Sequence, residues 1–171
     1  MQMDKGMDSG DVIDIIKTSI GPDELYGELQ DRLAAISADM IVDWLPRIIA
    51  GDYPRTVQDH AAMTLAPKVE RSECEIQFDR KASEEYNRLR AFSPSPGCFV
   101  RLSSGQLRII SARMGTGTGA PGVVISTRDG CEVGFMDGSL CLLEVQPEGK
   151  KRMSGRDFAN GMRLKPGSSL I

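Results

Sequence analysis

The chain has 171 residues, of which 26% are charged and 40% hydrophobic. No apolar run approaches the roughly 18 to 20 residues that cross a bilayer as a helix, and this length holds one ordinary domain, or one of about 100 residues with an incomplete companion. The net charge of −3 is uneven: residues 1–65 carry five Lys/Arg against twelve Asp/Glu (−7), and residues 66–171 carry sixteen against twelve (+4), so the second part is suited to meet a polyanion, although a mildly positive solvated surface is the more ordinary explanation.

In chain order, Val12-Ile13-Asp14-Ile15-Ile16 is short, β-branched and apolar, and reads as a strand ending before the turn signal Gly21-Pro22. Leu25, Leu29, Leu33 and Ile36 then form one helical stripe, and Met40-Ile41, Trp44-Leu45 and Ile48-Ile49 form a second, with Pro46 inside it as a candidate kink and Gly51 as its exit. One strand and two helices cannot cover their own apolar faces, so residues 1–50 read as the edge of a larger domain. Residues 51–68 lack a sustained period, carry two prolines and read as an extended linker.

Beyond the linker the texture is mainly β, with candidate strands at 75–78, 98–103, 106–113, 121–126, 131–136 and 139–145. Two helical pieces are expected among them, Ala82 to Ala91 and a short one opened by Ser154. The fold class expected is α+β, with residues 69–171 forming an OB-like, mainly antiparallel β-barrel. The glycine-rich stretch Met114 to Pro121 lacks the lysine and the helix start of a phosphate-binding loop and reads as a strand connection. Cys74, Cys98, Cys131 and Cys141 contain no CxxC pair, and His60 is the single histidine, so buried or incidental thiols are expected and no metal site. The opening residues show no basic leader with an apolar core, which reads as cytoplasmic residence.

The opening Met1-Gln-Met-Asp-Lys-Gly-Met-Asp8-Ser-Gly10-Asp11-Val12 is similar to the motif that closes the active site of folate-dependent formyltransferases. The resemblance continues in order through Gly27-Glu-Leu29, Arg32-Leu-Ala34, Gly51, Gln58-Asp59, Thr64-Leu-Ala-Pro-Lys68, Asn87-Arg-Leu-Arg-Ala-Phe92, Pro94-Ser-Pro-Gly97 and Gln146-Pro-Glu-Gly-Lys-Lys151. Together these motifs resemble the methionyl-tRNA formyltransferase family. The resemblance implies a Rossmann-like remnant of the catalytic domain over 1–50, a tRNA-contacting linker over 51–68 and the C-terminal barrel over 69–171. It also implies 10-formyltetrahydrofolate as co-substrate and initiator methionyl-tRNA as partner. The chain departs from the family at Ser95, where an aromatic residue is expected. It also reads as N-terminally truncated, because the family's catalytic Asn and His and its folate loop lie upstream of the first matched motif; a separate N-terminal half is one source for them.

Formyl transfer between nitrogens passes through a tetrahedral intermediate that needs a donor for its oxyanion and a group that moves protons. By resemblance, Asp8 orients the family's catalytic histidine; without that partner it reads as a turn aspartate before Gly10, and the chain as inactive alone. His60 matches no catalytic position. Lys68, Lys150, Lys151 and Arg152 match basic family positions and are expected to neutralise tRNA phosphates. Arg90 reads equally as a phosphate contact or an interface strut, while Tyr86, Phe92 and Phe99 read as core. Two further readings compete: a fragment of a sugar-nucleotide formyltransferase, which the Lys68 linker and the Gly149-Lys-Lys151 loop argue against, and a non-catalytic remnant that would associate through its apolar helices. A stable product is expected to be a monomer.

Overall fold

The computed structural model describes residues 1–171, which separate into two compact units: residues 1–24 with 28–68, and residues 25–27 with 69–171. The first is dominated by α1 (Tyr26–Ile49, 24 residues), a single helix in place of the two expected. Leu29, Leu33, Ile36, Met40, Trp44 and Ile48 recur every three or four positions, so the two stripes are halves of one. Pro46 removes one N–H donor near the helix end without terminating it, and the Ala50 N–H still reaches the Pro46 carbonyl at 3.1 Å. Gly51, at φ +74°, closes the helix.

Two side-chain ties fasten the preceding segment to α1. Arg32 donates through Nε and Nη2 to the two carboxylate oxygens of Glu24, both at 2.9 Å, and also to Thr18 Oγ1 and the Ser19 carbonyl. This paired hydrogen bonding to Glu24 raises the Arg32 pKa further. Trp44 Nε1 donates to Asp14 at 2.8 Å while its ring lies under the Arg47 guanidinium. The strand expected over 12–16 does not form. Only Val12 pairs, exchanging two 2.9 Å backbone bonds with Thr56. A strand needs a neighbour to take alternate N–H and C=O groups, and here one residue pair supplies it. No residue of α1 is buried, and Ile15, Ile16, Ile41, Val42 and Ile49 are exposed. Residues 51–68 include one 3-10 turn, His60–Ala62, capped by Asp59.

The second unit is a curled antiparallel sheet with two helices. Its strands are β1 (Cys98–Leu102), β2 (Gly105–Met114), β3 (Val124–Ser126), β4 (Cys131–Gly134), β5 (Ser139–Pro147) and β6 (Met153–Ser154). The order is β1-β2-β5-β4-β3, with β6 on β5. The curl is a half-barrel and not the closed barrel expected, because β1 and β3 are edges that do not pair with each other. Each edge is covered by irregular chain instead: Ile76 N–H bonds the Phe99 carbonyl, and Val124 N–H bonds Ser168. The strand expected at 75–78 reduces to a single bridge between Glu75 and Phe99, because the Gln77 N–H turns to the Glu85 carboxylate at 3.3 Å. The strand expected at 121–126 is shortened by the turn through Gly122, at φ +75°.

α2 (Ala82–Phe92) packs on β1, β2 and β5, and α3 (Gly155–Gly161) packs on β4, β5 and β6. The core joins Leu107, Ile109, Val133, Leu140, Leu142 and Val145 of the sheet to Ala82, Tyr86 and Leu89 of α2 and Phe158 of α3. Burying each such leucine contributes about 1.5–3 kcal/mol. Tyr86 and Phe99 are buried as expected, and Phe92 packs half-buried against the core. All four cysteines are buried and free; burial, with smaller effects of neighbouring groups, pushes the Cys98 and Cys131 thiols up to about 12.

The glycine-rich connection between β2 and β3 is folded onto one carboxylate. Glu132 Oε1 accepts from Ser139 Oγ at 2.6 Å, Gly117 N–H at 2.8 Å and Thr116 N–H at 3.0 Å. A side chain at Gly115 would place its Cβ 2.4 Å from that oxygen, which is why a glycine stands there. Partial burial alone would raise the Glu132 pKa, but these three donors outweigh it and hold the pKa below the usual carboxylate value. Its stabilising contribution is therefore fully present above the unfolded value of about 4.3 and is lost as pH falls through the depressed folded value. Glu132→Gln is expected to lower stability by about 1–2 kcal/mol at about pH 7, with the gap to wild type narrowing at about pH 3.5, as read by urea titration at both values.

Candidate functional site

Asp8 sits on a turn at φ +51°, a left-handed conformation that a short polar residue tolerates better than most, with its side chain exposed. Gly10 follows, buried; a Cβ there would lie 1.8 Å from the Gln2 carbonyl oxygen, so only glycine fits where residue 2 crosses. Gln2 N–H bonds the Asp11 carbonyl at 2.8 Å, which closes the opening loop on itself.

The residue that fixes this turn is Gln58. Its Nε2 donates to the Asp8 carbonyl at 2.9 Å and to the Gly10 carbonyl at 2.7 Å, spanning the turn from the linker side. Tyr53 Oη donates to Gln2 Oε1 at 3.0 Å and accepts from Arg55 Nη2 at 2.9 Å, while the Val12–Thr56 bridge completes the seam. The linker thus holds the backbone on both sides of Asp8 and leaves the carboxylate clear of these bonds. Sequence reasoning quoted Gln58 as part of a motif but gave it no role; a linker glutamine carries no local signal that its amide closes a turn about fifty residues away.

The basic residues fall at three places. Lys68 is exposed at the end of the first unit. Lys150, Lys151 and Arg152 occupy the exposed turn between β5 and β6, which is opened by Gly149 at φ +68° and braced by Gln146 Nε2 donating to the Lys150 carbonyl at 3.0 Å. None of these four forms an ion pair, so their charges are available to an external anion. Arg90 differs: it is half-buried on α2, donates to Asn87 Oδ1 at 2.8 Å and lies over the Tyr86 ring at 5.7 Å. Both of these contacts lie within α2. His60 is exposed in its 3-10 turn and makes none of the bonds that hold the Asp8 turn. No group of three or more His, Cys, Asp or Glu side chains is arranged to hold a metal ion, and no helix is long and apolar enough to cross a membrane.

If the Gln58 amide is what holds the Asp8 turn, Gln58→Ala should speed amide exchange at Val12 and Thr56 by about tenfold, a loss of about 1.4 kcal/mol. Leu107 and Leu142, buried in the other unit, should keep their protection. Unchanged exchange at Val12 would mean that other contacts hold the turn.

Residues 68–163 match the profile of the formyl transferase C-terminal domain. Across 98% of its length the chain is 40% identical to methionyl-tRNA formyltransferase of Myxococcus xanthus, and it is equally similar to that of Symbiobacterium thermophilum. It spans about half the length of these relatives, 54% and 53%. In fold it is similar to HypX from Aquifex aeolicus, with a TM-score of 0.70 at 14% identity, covering 91% of this chain and 29% of that one. It is also similar to the N-formyltransferase from Helicobacter canadensis, with a TM-score of 0.64 at 16% identity, covering 82% and 52%. A curled sheet of this order, the matched stretch from Lys68 to Arg163 and relatives that share two residues in five place the chain in the formyl transferase C-terminal domain family.

Proposed function

We propose that this chain is the tRNA-gripping part of a methionyl-tRNA formyltransferase and carries, at Asp8, one member of its formyl-transfer centre. The observation that carries this reading is the 40% identity to methionyl-tRNA formyltransferases, which runs through both units and includes the Asp8 turn as well as the β5–β6 loop. The geometry is consistent with it. Lys68, Lys150, Lys151 and Arg152 present unpaired cations to solvent, as phosphate neutralisation requires, and each adds salt-sensitive affinity without choosing a sequence.

In this reading the formyl donor is 10-formyltetrahydrofolate and the acceptor is the amino group of initiator methionyl-tRNA; a structure of HypX was solved with tetrahydrofolic acid. Asp8 accepts the N–H of a histidine, holds that ring in one tautomer and steadies it as it takes a proton from the attacking amine. An asparagine donating to the oxyanion completes the centre. The chain's one histidine, His60, lies in the linker and matches no catalytic position of the family. Residues 1–50 are then the closing edge of a Rossmann-like catalytic domain, whose remaining elements would cover the exposed apolar residues of α1.

The purified chain should bind initiator tRNA in a salt-dependent manner and transfer no formyl group alone. Replacing Lys150, Lys151 and Arg152 together by Ala should flatten the slope of log affinity against log salt by about two to three, because each lost phosphate contact removes about 0.9 or less. Fluorescence anisotropy at several salt concentrations reads the binding, and a formylation assay with 10-formyltetrahydrofolate reads the chemistry. Turnover by the chain alone would overturn the assignment of its missing groups, and salt-independent binding would overturn the phosphate reading.

A further inference from the structure

We propose that Arg71 and Arg108 form a preorganised phosphate-binding pocket on the outer face of β1 and β2, separate from the β5–β6 loop, and that its occupant is a backbone phosphate of RNA. The proposal rests on the tRNA-binding reading above and adds a site to it. The pocket is a cavity of about 390 Å³ whose polar side chains are Arg71, Arg108 and Gln106, set beside Phe99 and Pro96. Its lining contains two guanidinium groups and no carboxylate.

Both arginines are held by groups that leave part of each fork uncommitted. Arg108 Nη2 donates to the Pro94 carbonyl at 2.9 Å and the Pro96 carbonyl at 3.3 Å, so the turn before β1 fixes its direction. Gly97 makes this possible: a Cβ there would sit 2.7 Å from Arg108 Nη2, and the residue has φ +82°. Arg71 Nη2 donates to Gln106 Oε1 at 3.1 Å, and its guanidinium lies 5.6 Å from the Phe99 ring centre. In each arginine the bonds leave from Nη2, and Nε and Nη1 keep their donors for a ligand. An anion therefore meets two planar forks already oriented, which lowers the entropy lost on binding.

Arg101 serves as the internal contrast. It also lies near Phe99, at 5.9 Å, but its Nε donates to both carboxylate oxygens of Glu75 at 3.0 Å, so its charge is already matched. Arg71 and Arg108 have no such acid. A tetrahedral oxyanion fits two forks on one wall of a cavity better than a planar carboxylate, which one fork satisfies. The net positive charge of residues 66–171 favours a polyanion over an isolated small anion.

The test uses the whole chain and three variants: Arg71→Ala, which is exposed and should leave the fold intact; Arg108→Lys, which keeps the charge but loses the fork; and Arg128→Ala, a remote exposed arginine as control. With tRNA as probe, Arg71→Ala should weaken binding at low salt by about threefold or more and flatten the salt slope by about one. Arg108→Lys should weaken binding with little change of slope, and Arg128→Ala should match wild type. Wild-type binding that none of the three alters would overturn the pocket while leaving the tRNA reading standing. No salt-dependent binding by wild type would instead overturn the tRNA reading itself. Titrating inorganic phosphate while following the arginine Nε–H signals by NMR separates the sources. Saturation of Arg71 and Arg108 by phosphate, with tRNA failing to move the same signals, would overturn RNA as the occupant.

Discussion

At Leu142 the backbone of β5 is approached so closely from two directions that glycine is the only residue tolerated on either side. A Cβ at Gly155, the first residue of α3, would lie 1.9 Å from the Leu142 carbonyl oxygen, and a Cβ at Gly130, just before β4, would lie 2.6 Å from it. The sheet is built outward from this crowded point. β5 pairs with β2, β4 and β6, and the Leu142 side chain is buried in the core. Because α3 begins in contact with β5 and β6 ends directly before it, the turn carrying Lys150, Lys151 and Arg152 is confined between two fixed points. Interiors at close-packed density transmit such constraints with little slack. The two ends of the basic loop are therefore placed by close packing in the core, and Gly149 and Gln146 shape the turn between them.

Much of this half was legible in the sequence, because its strands alternate over five to ten residues and end at Gly, Pro, Ser or Asp. The failures share a cause, which is that a strand is defined by its neighbour. Ile76 and Phe78 alternate with Gln77 as a strand should and bury as one, yet the Gln77 N–H goes to the Glu85 carboxylate and leaves a single bridge. Val12 to Ile16 has the composition of a strand and lacks a partner beyond Thr56. Closure of the barrel failed as an expectation for the same reason: local pattern says which residues face inward but not whether the two edges meet. The division of α1 into two helices was a different error, since Ile36 and Met40 are a helical turn apart and the two stripes continue one face; Pro46, expected as a kink in the second, lies close enough to the helix end that its missing donor costs little.

The site was legible through motifs, and motifs name residues without saying what holds them. Asp8 was found from its neighbours Gly6 and Gly10, whereas Gln58 shows its purpose only when its amide is seen to bridge the carbonyls flanking Ser9. The basic turn was visible as a charge cluster. Arg71 and Arg108 were not, because they are 37 positions apart and come together only through β1–β2 pairing and the turn at Pro94 to Gly97. The missing aromatic at Ser95 belongs to this same turn; its two flanking prolines still direct their carbonyls to Arg108, so the turn's role in orienting that arginine does not depend on the aromatic.

The two kinds of proposed basic site would contribute differently to binding a polyanion. Lys150 and Lys151 are compact, strongly hydrated charges on flexible stems in an exposed turn, and they attract phosphate from a distance without fixing where it rests. In the proposed pocket Arg71 and Arg108 are each oriented by hydrogen bonds before a ligand arrives, so an anion held by both would have a defined position. Long-range attraction alone gives a nucleic acid that slides, and a rigid anchor alone gives slow capture. In the proposed reaction one particular amino group must reach the formyl carbon of the donor, so capture has to be followed by registration. In this chain the Asp8 turn is held by the linker that leads into the second unit, through Gln58 and the Val12–Thr56 bridge. The proposed phosphate pocket and the residues that hold the Asp8 turn are thus joined by one short stretch of chain, residues 58–71.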